Sequence, residues 1–254
     1  MRLTHHCLSI KAGRNPLAFD MLRCIHPHCV KAMTSESPSI VPPSMYMPRQ
    51  FVSDKLGDAL TIMRSHPFAT LTSVDTDGFP FVTHLPLHAQ VDDGAAPLVL
   101  WGHCSRANPH WKLLAANPQA LVVFRGAHSY LSPTVYPDLQ RVPTWNYVAV
   151  HCRVQVSLVD QPDDKDALLK CLIGDHEPAY AAQWRGLDED YTRKMLAAVV
   201  GFRMEVLAWE CKLKVNQHRT ESYDTQHAVY SAQAQQGDRN AQELLQWMET
   251  LAAR

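Results

Sequence analysis

The chain contains no apolar run of 18 or more residues, so nothing in its 254 residues reads as a transmembrane helix. Residues 1–30 also lack the uninterrupted apolar core of a secretory signal. The seven cysteines, Cys7, Cys24, Cys29, Cys104, Cys152, Cys171 and Cys211, are odd in number and form no CxxC pair. That argues against a disulfide framework and against a tetrathiolate zinc site. Among 14 histidines no HExxH or comparable spacing occurs, so no metal is expected. A glycine-rich phosphate loop and a G-x-S-x-G elbow are both missing, which sets aside ATP-type binding and serine-hydrolase chemistry. Neither sign of charge is in excess: 24 basic against 25 acidic residues leave a net charge of −1, with no global attraction for nucleic acid or an anionic membrane. These absences describe a cytoplasmic, reduced protein without membrane association and with no catalytic residue legible on its own.

Residues 1–44 show no sustained period and end in a breaker-rich run with Pro38, Pro42 and Pro43, so they read as a disordered leader. From Met45 onward the pattern is regular. Leu56, Ala59, Leu60 and Met63 recur at helical spacing between Asp54 and His66, with Ser53 as the expected N-cap. The period then changes to two. Phe68 to Val74 and Phe79 to His88 read as strands joined by Asp75-Thr76-Asp77-Gly78, whose Asp-Gly pair signals a hairpin. Further strands are expected at Leu98–His103, Gln119–Phe124, Tyr147–Val159 and Phe202–Val215. Helices are expected at Pro109–Asn117, Asp164–Ile173 and Asp188–Ala198, and in a terminal pair at Asp224–Gln235 and Asn240–Ala253. Consecutive strands with short turns favour antiparallel pairing, and closing them into a barrel removes exposed edges.

Three segments carry chemistry. In Gly102-His103-Cys104-Ser105-Arg106-Ala107-Asn108-Pro109 a strand ends and a helix begins, with Asn108 as N-cap and Pro109 in the first turn. Free N–H groups at that start, the Ser105 hydroxyl and the Arg106 guanidinium would converge on an anion. Arg106 as a solvated turn residue is the plainer alternative. In Val142-Pro143-Thr144-Trp145-Asn146-Tyr147 the aromatic density suits a wall for a flat ring, or else Trp145 plugs the barrel end. Lys212 and Lys214 share a strand face, which allows a two-lysine grip on a phosphate or a plain charged edge.

Taken together, His66-Pro67-Phe68-Ala69-Thr70-Leu71, Thr83-His84-Leu85-Pro86, the run Gly102 to Trp111, Ser129-Tyr130-Leu131-Ser132-Pro133 and Val142 to Tyr147 resemble the PaiB family of FMN-binding negative transcriptional regulators, in register from Met45 to about Arg219. The resemblance implies an α+β fold: an antiparallel split β-barrel of the pyridoxamine-phosphate-oxidase type over residues 45–219, with peripheral helices and a C-terminal helical hairpin over 220–254. It implies FMN in a crevice between two subunits. Ser105 and Arg106 would hold the FMN phosphate, and Thr83, His84 and Leu85 would flank the isoalloxazine ring. His103, Asn108, Trp145, Asn146, Lys214, Gln217 and Arg219 complete the implied cofactor site. The late motif departs from the family pattern, reading Lys-Leu-Lys-Val-Asn-Gln-His-Arg where Lys-Leu-Ser-Gln-Asn-Arg is expected. Residues 1–44 have no family counterpart, which favours a misassigned start over a functional arm.

A homodimer is expected, because a split barrel leaves an open crevice and the tail carries Leu244, Leu245, Trp247, Met248 and Leu251 on short helices. The tail is not a DNA-reading element by charge: Asp224, Asp238, Glu243 and Glu249 stand against Arg239 and Arg254. Three functions are therefore weighed: a regulator acting through DNA, a protein partner or a metabolite; an FMN-dependent oxidoreductase; and a flavin store. With no packed face in residues 1–44, a chain lacking them is expected to fold and hold flavin as the full chain does, measured by circular dichroism and flavin absorbance. Aggregation or cofactor loss would make the leader structural.

Overall fold

The computed structural model describes residues 42–91, 98–138 and 140–254. The reading of residues 1–44 as a leader falls, up to residue 41, outside the described residues. Residues Pro43–Arg254 form one compact unit. Its elements in chain order are β1 (Val52–Ser53), α1 (Leu56–Ser65), β2 (Phe68–Val74), β3 (Pro80–Pro86), β4 (His88–Gln90), β5 (Val99–Ser105), α2 (His110–Ala116), β6 (Gln119–Leu131), β7 (Thr144–Val159), α3 (Pro162–His176), α4 (Ala181–Arg185), α5 (Glu189–Ala197), β8 (Val199–Lys214), α6 (Tyr223–Gln235) and α7 (Arg239–Ala252).

Every strand pairing in the sheet is antiparallel, in the order β3-β2-β6-β7-β8-β5-β4, with β1 added to β8. Alternation decides the two faces. On β2, Ala69, Leu71 and Ser73 point inward while Phe68, Thr70 and Thr72 face out. The hairpin to β3 forms as the Asp-Gly pair demands: Gly78 adopts φ 85°, and Asp75 Oδ1 accepts from the N–H of Asp77 at 3.0 Å and of Phe79 at 2.8 Å. The interior is filled by Leu71, Leu85, Leu100, Val122, Phe124, Val150, Phe202 and Met204, each almost fully buried.

The structure revises several boundaries. Phe79–His88 is not one strand, because the chain bends at Leu87, whose N–H donates to Pro67 O at 2.9 Å. The strand expected to stop at Phe124 continues to Leu131 through a bulge between Arg125 and His128. Ser53 does not cap α1: its hydroxyl donates to Asp58 Oδ2 at 2.5 Å, and the helix starts after Lys55 without a side-chain cap. Asp188 and Asp238 do cap, accepting from Tyr191 N–H and from Asn240 and Ala241 N–H.

The terminal pair α6 and α7 lies on the barrel, with α7 against β6. Ala241, Leu244, Trp247 and Met248 recur at helical spacing and are buried within the same chain. This corrects the expectation that the tail's apolar face is left for a partner. The hairpin is tied down by Arg254, whose guanidinium donates to both oxygens of Asp58, at 2.9 and 2.6 Å. Asp58 is 7% exposed. Burial pushes its carboxyl up, but the hydrogen bonds from Arg254 and Ser53 outweigh that and hold it below the ordinary value.

Arg254→Ala strands a buried carboxylate with one hydroxyl partner, so it is expected to cost about 1–3 kcal/mol in urea denaturation at neutral pH. Because the folded carboxyl titrates below its unfolded counterpart, the pair's contribution is complete above about pH 4 and fades as pH falls through the folded value. The parent and variant curves should therefore converge in acid. A gap that stays constant down to acid pH would show that Asp58 contributes nothing through its charge.

Candidate functional site

Register places the twelve expected residues. Across β3, β2, β6, β7 and β8 the pairing aligns His84, Thr70, Val123, His151 and Glu210 in one row. His84 is exposed on the outer face, its Nδ1 3.1 Å from Thr70 Oγ1, with Phe68 beside it. Thr83 and Leu85 alternate to the inside and are buried, so only their backbone is open to the outer face.

At the end of β5, Thr83 is drawn into a buried polar corner. Its Oγ1 accepts from Asn108 Nδ2 at 3.0 Å and lies 2.7 Å from His110 Nδ1, while His110 Nε2 lies 2.9 Å from Ser73 Oγ. His110 is fully buried against the Phe81 ring, and burial lowers its pKa to about 4, so it is neutral at pH 7. Asn108 Oδ1 accepts from His110 N–H at 3.0 Å, but α2 starts at His110, one residue later than expected, so that Pro109 and not Asn108 is its formal N-cap.

The N–H groups expected to be free at this corner are used internally. Those of Arg106 and Asn108 donate to Ala198 O at 2.8 Å and Ser105 O at 2.9 Å, and that of Ala107 to Ser105 Oγ at 3.3 Å. The Arg106 side chain is also engaged. Its Nε donates to Ala197 O at 2.8 Å and its Nη2 to Val199 O at 3.2 Å and to the Asp160 carboxylate, while the guanidinium lies 5.9 Å from the centroid of the Trp111 ring. Arg106 is therefore not a solvated turn residue: it ties β5 to the start of β8. What the corner leaves for a ligand is the exposed Ser105 hydroxyl, the Nη1 side of Arg106, and His103 Nδ1, which is buried with no partner among the described residues. Burial lowers the pKa of His103.

The remaining residues stand elsewhere. Thr83 aligns through Leu71 and Val122 with Cys152. Trp145 lies seven residues along β7 from that level, about 23 Å. Trp145 is 53% exposed and touches the His128 and Tyr130 rings, so it is a ledge and not a plug. Asn146 turns inward, donating to Tyr230 Oη at 3.0 Å and leaving its buried Oδ1 without a partner among the described residues. Lys214 shares the outer face with Lys212, but Lys212 is buried, donates to Tyr46 O at 2.7 Å and lies 5.6 Å from the Tyr46 ring centroid. Lys214 Nζ donates to Thr144 Oγ1 at 2.8 Å and sits 5.8 Å from the Tyr147 ring centroid; burial lowers its pKa, and Lys212 adds to the shift. Gln217 is consumed by backbone partners, and Arg219 lies beyond the end of β8.

Two clusters of candidate residues therefore stand out: a corner of Ser105, Arg106 and His103, with exposed His84 on β3, and a ledge of Trp145, Tyr130, His128 and Lys214. Cations, a lone hydroxyl, an orphaned ring nitrogen and exposed aromatic faces suit a phosphate-bearing flat ring. Sequence reasoning missed Asp160 and His110, as well as Arg125, exposed on the outer face of β6. Three buried thiols are poor nucleophiles, since burial pushes Cys104 up to about 11, Cys211 up to about 12 and Cys152 up as well.

A closed antiparallel barrel with helices around it and such an outer face defines the class of flavin-binding split-barrel proteins. The flavocytochrome Anf3 from Azotobacter vinelandii superposes with TM-score 0.52 over 66% of this chain and 72% of its own, at 15% identity. The FAD and heme binding protein from Mycobacterium smegmatis gives 0.50 over 64% and 73%, at 20% identity. Residues 45–208 match the family described as "Putative FMN-binding domain". The chain is 28% identical over 207 residues to "Protease synthase and sporulation protein PAI 2" of Bacillus subtilis, covering 81% of this chain and 97% of the relative. It belongs to the PaiB family and is an FMN-binding protein.

His110 supplies a pH test of the corner. Its folded pKa lies below the unfolded 6.5, so protonation favours unfolding, and stability falls as pH drops from about 6.5 to about 4. The shift corresponds to roughly 3 kcal/mol across that window. His110→Gln, which keeps hydrogen bonding but cannot titrate, should flatten the pH dependence of the urea midpoint. An unchanged slope would place the titrating groups elsewhere.

Proposed function

We propose that this protein is a dimeric, FMN-binding negative regulator of the PaiB type, with each flavin shared between two copies. The observation that carries the shared site is the separation of corner and ledge. Trp145 lies about 23 Å along β7 from the level of Thr83, with further strands between, which favours a flavin that meets the corner of one chain and Trp145 of a second copy. In this reading Ser105, His103 and the Nη1 side of Arg106 hold the phosphate, while His84 and the backbone of Thr83 and Leu85 border the ring. Trp145 and Lys214 close it from the second copy. When bound, the flavin supplies electron-transfer chemistry, and the protein supplies placement.

The regulatory half rests on the relation to PAI 2 over almost the whole of that protein. Asp224, Asp238, Glu243 and Glu249 on the tail favour control through a protein partner or a metabolite over direct reading of DNA by the hairpin.

Purified protein should be yellow and sediment at twice the chain mass. Arg106→Ala is expected to weaken FMN binding by about tenfold to a hundredfold and to leave riboflavin, which lacks the phosphate, nearly unaffected. Loss of both ligands together would mean general damage through the lost contacts to Asp160, Ala197 and Val199. Unchanged FMN affinity would move the phosphate to Lys214. A monomer that keeps stoichiometric FMN rules out the shared site. Flavin bleaching by NAD(P)H without an operator shift or a captured partner would turn the function to an FMN-dependent oxidoreductase.

A further inference from the structure

A cavity of about 370 Å³ opens between the turn that follows β8, the start of α6 and the last turn of α7. Its floor is apolar: Val215, Tyr223, Met248 and Leu251. The volume falls within the range of small-molecule sites. Its walls are preset by a buried network. Asn216, held at φ 64°, donates through Nδ2 to Ser222 Oγ and to Gln226 Oε1, both at 3.1 Å, and accepts from Tyr136 Oη at 3.2 Å. Gln226 Nε2 donates to Val215 O at 3.0 Å. These amides are fixed by the protein, so the cavity keeps its shape without a guest.

Two lining groups retain capacity. The Arg219 guanidinium has Glu221 as its nearest anion, 3.9 Å away, and Glu221 is also 3.4 Å from Arg141 and does not line the cavity. The Thr220 hydroxyl has no partner among the described residues. Arg219 is the only cation and no carboxylate is among the lining residues described. One guanidinium beside one hydroxyl over an apolar floor matches a monoanionic head on an apolar body.

We infer that this cavity is a second ligand site, separate from the flavin, for a monocarboxylate with an apolar tail, held by Arg219 and Thr220 and seated on Met248, Leu251 and Tyr223. Gln217 and Arg219, which the family resemblance drew toward FMN, belong to this cavity. The binding stands on the cavity alone; only its use as an effector site rests on the regulatory reading above. An acid seated there would touch α6, α7 and the end of β8 together, and so could couple the tail hairpin to the ledge strands.

The test uses the full FMN-loaded chain, with octanoate as the probe and octanamide and inorganic phosphate as controls, followed by titration calorimetry and flavin absorbance. Octanoate should bind saturably, one per chain, more tightly than octanamide or phosphate, with the flavin retained. Arg219→Ala should weaken octanoate about tenfold to a hundredfold and leave octanamide unchanged. Leu251→Trp, which fills the cavity, should abolish both. Thr220→Val, which conserves shape, should weaken octanoate by a smaller factor and guards against a misfolded tryptophan variant. The inference is overturned by any of four results: no saturable binding to the parent, octanamide binding as well as octanoate, binding indifferent to both Arg219→Ala and Leu251→Trp, or one-for-one displacement of FMN. The last would assign the cavity to the flavin without touching the assignment of the chain as a flavoprotein.

Discussion

Barrel closure at Leu87 is the constraint on which the other features rest. The two ends of the strand path, β3 and β4, are one stretch of chain bent at a single residue, so the sheet cannot open without breaking that turn. Closure brings β5 against the bend, and there Gly102 leaves no room for a side chain: a Cβ would lie 2.4 Å from Leu87 Cδ2 and 3.2 Å from Pro86 O. Once β5 is held there, the corner after it must fall beside Thr83, and the hydroxyl, Asn108 and His110 find each other. The polar corner is thus a consequence of closure and not an independent motif.

The same closure fixes which side chains a ligand can meet. With the inside filled by apolar residues, only the outer row of each strand is open, and a shift of register by one residue would exchange His84 for Thr83 and Leu85. That exchange explains why the expected trio around the ring divides, with His84 facing out and its two neighbours offering backbone alone.

Strand positions, the Asp-Gly hairpin and the amphipathic terminal helix were legible because they are local: alternation, turn chemistry and helical spacing are written in consecutive residues. The long β6 was not, since its bulge sits at Gly126-Ala127, where small residues hide the continuation of the alternation. The partners of Arg106 were equally invisible. Asp160 lies 54 positions away and Ala197 lies 91 away, so an apparently free guanidinium in the sequence becomes a strut in the fold. Lys212 misled for the same reason, because nothing near it in sequence announces that Tyr46 will cover it. The resemblance to a family points to segments, but which residue of each segment faces outward is a matter of register and distant partners.

The tail hairpin ties these levels together. Its helices hide their apolar face within the chain, and the exposed Asp224, Asp238 and Glu249, beside Arg239, are the charges a partner would meet. Their inner surface touches both ends of the molecule: Arg254 grips Asp58 near the first helix, while Tyr230 receives a hydrogen bond from Asn146, one residue from the Trp145 ledge. Asn146 is fully buried, and its Oδ1 has no partner among the described residues, an arrangement that costs stability. A displacement of α6 would therefore be felt at Asn146 before it reached the rest of the barrel. On the proposal that Trp145 closes the flavin ring, the hairpin is the element through which a second ligand or a partner would alter the hold on the cofactor, without either one touching the flavin.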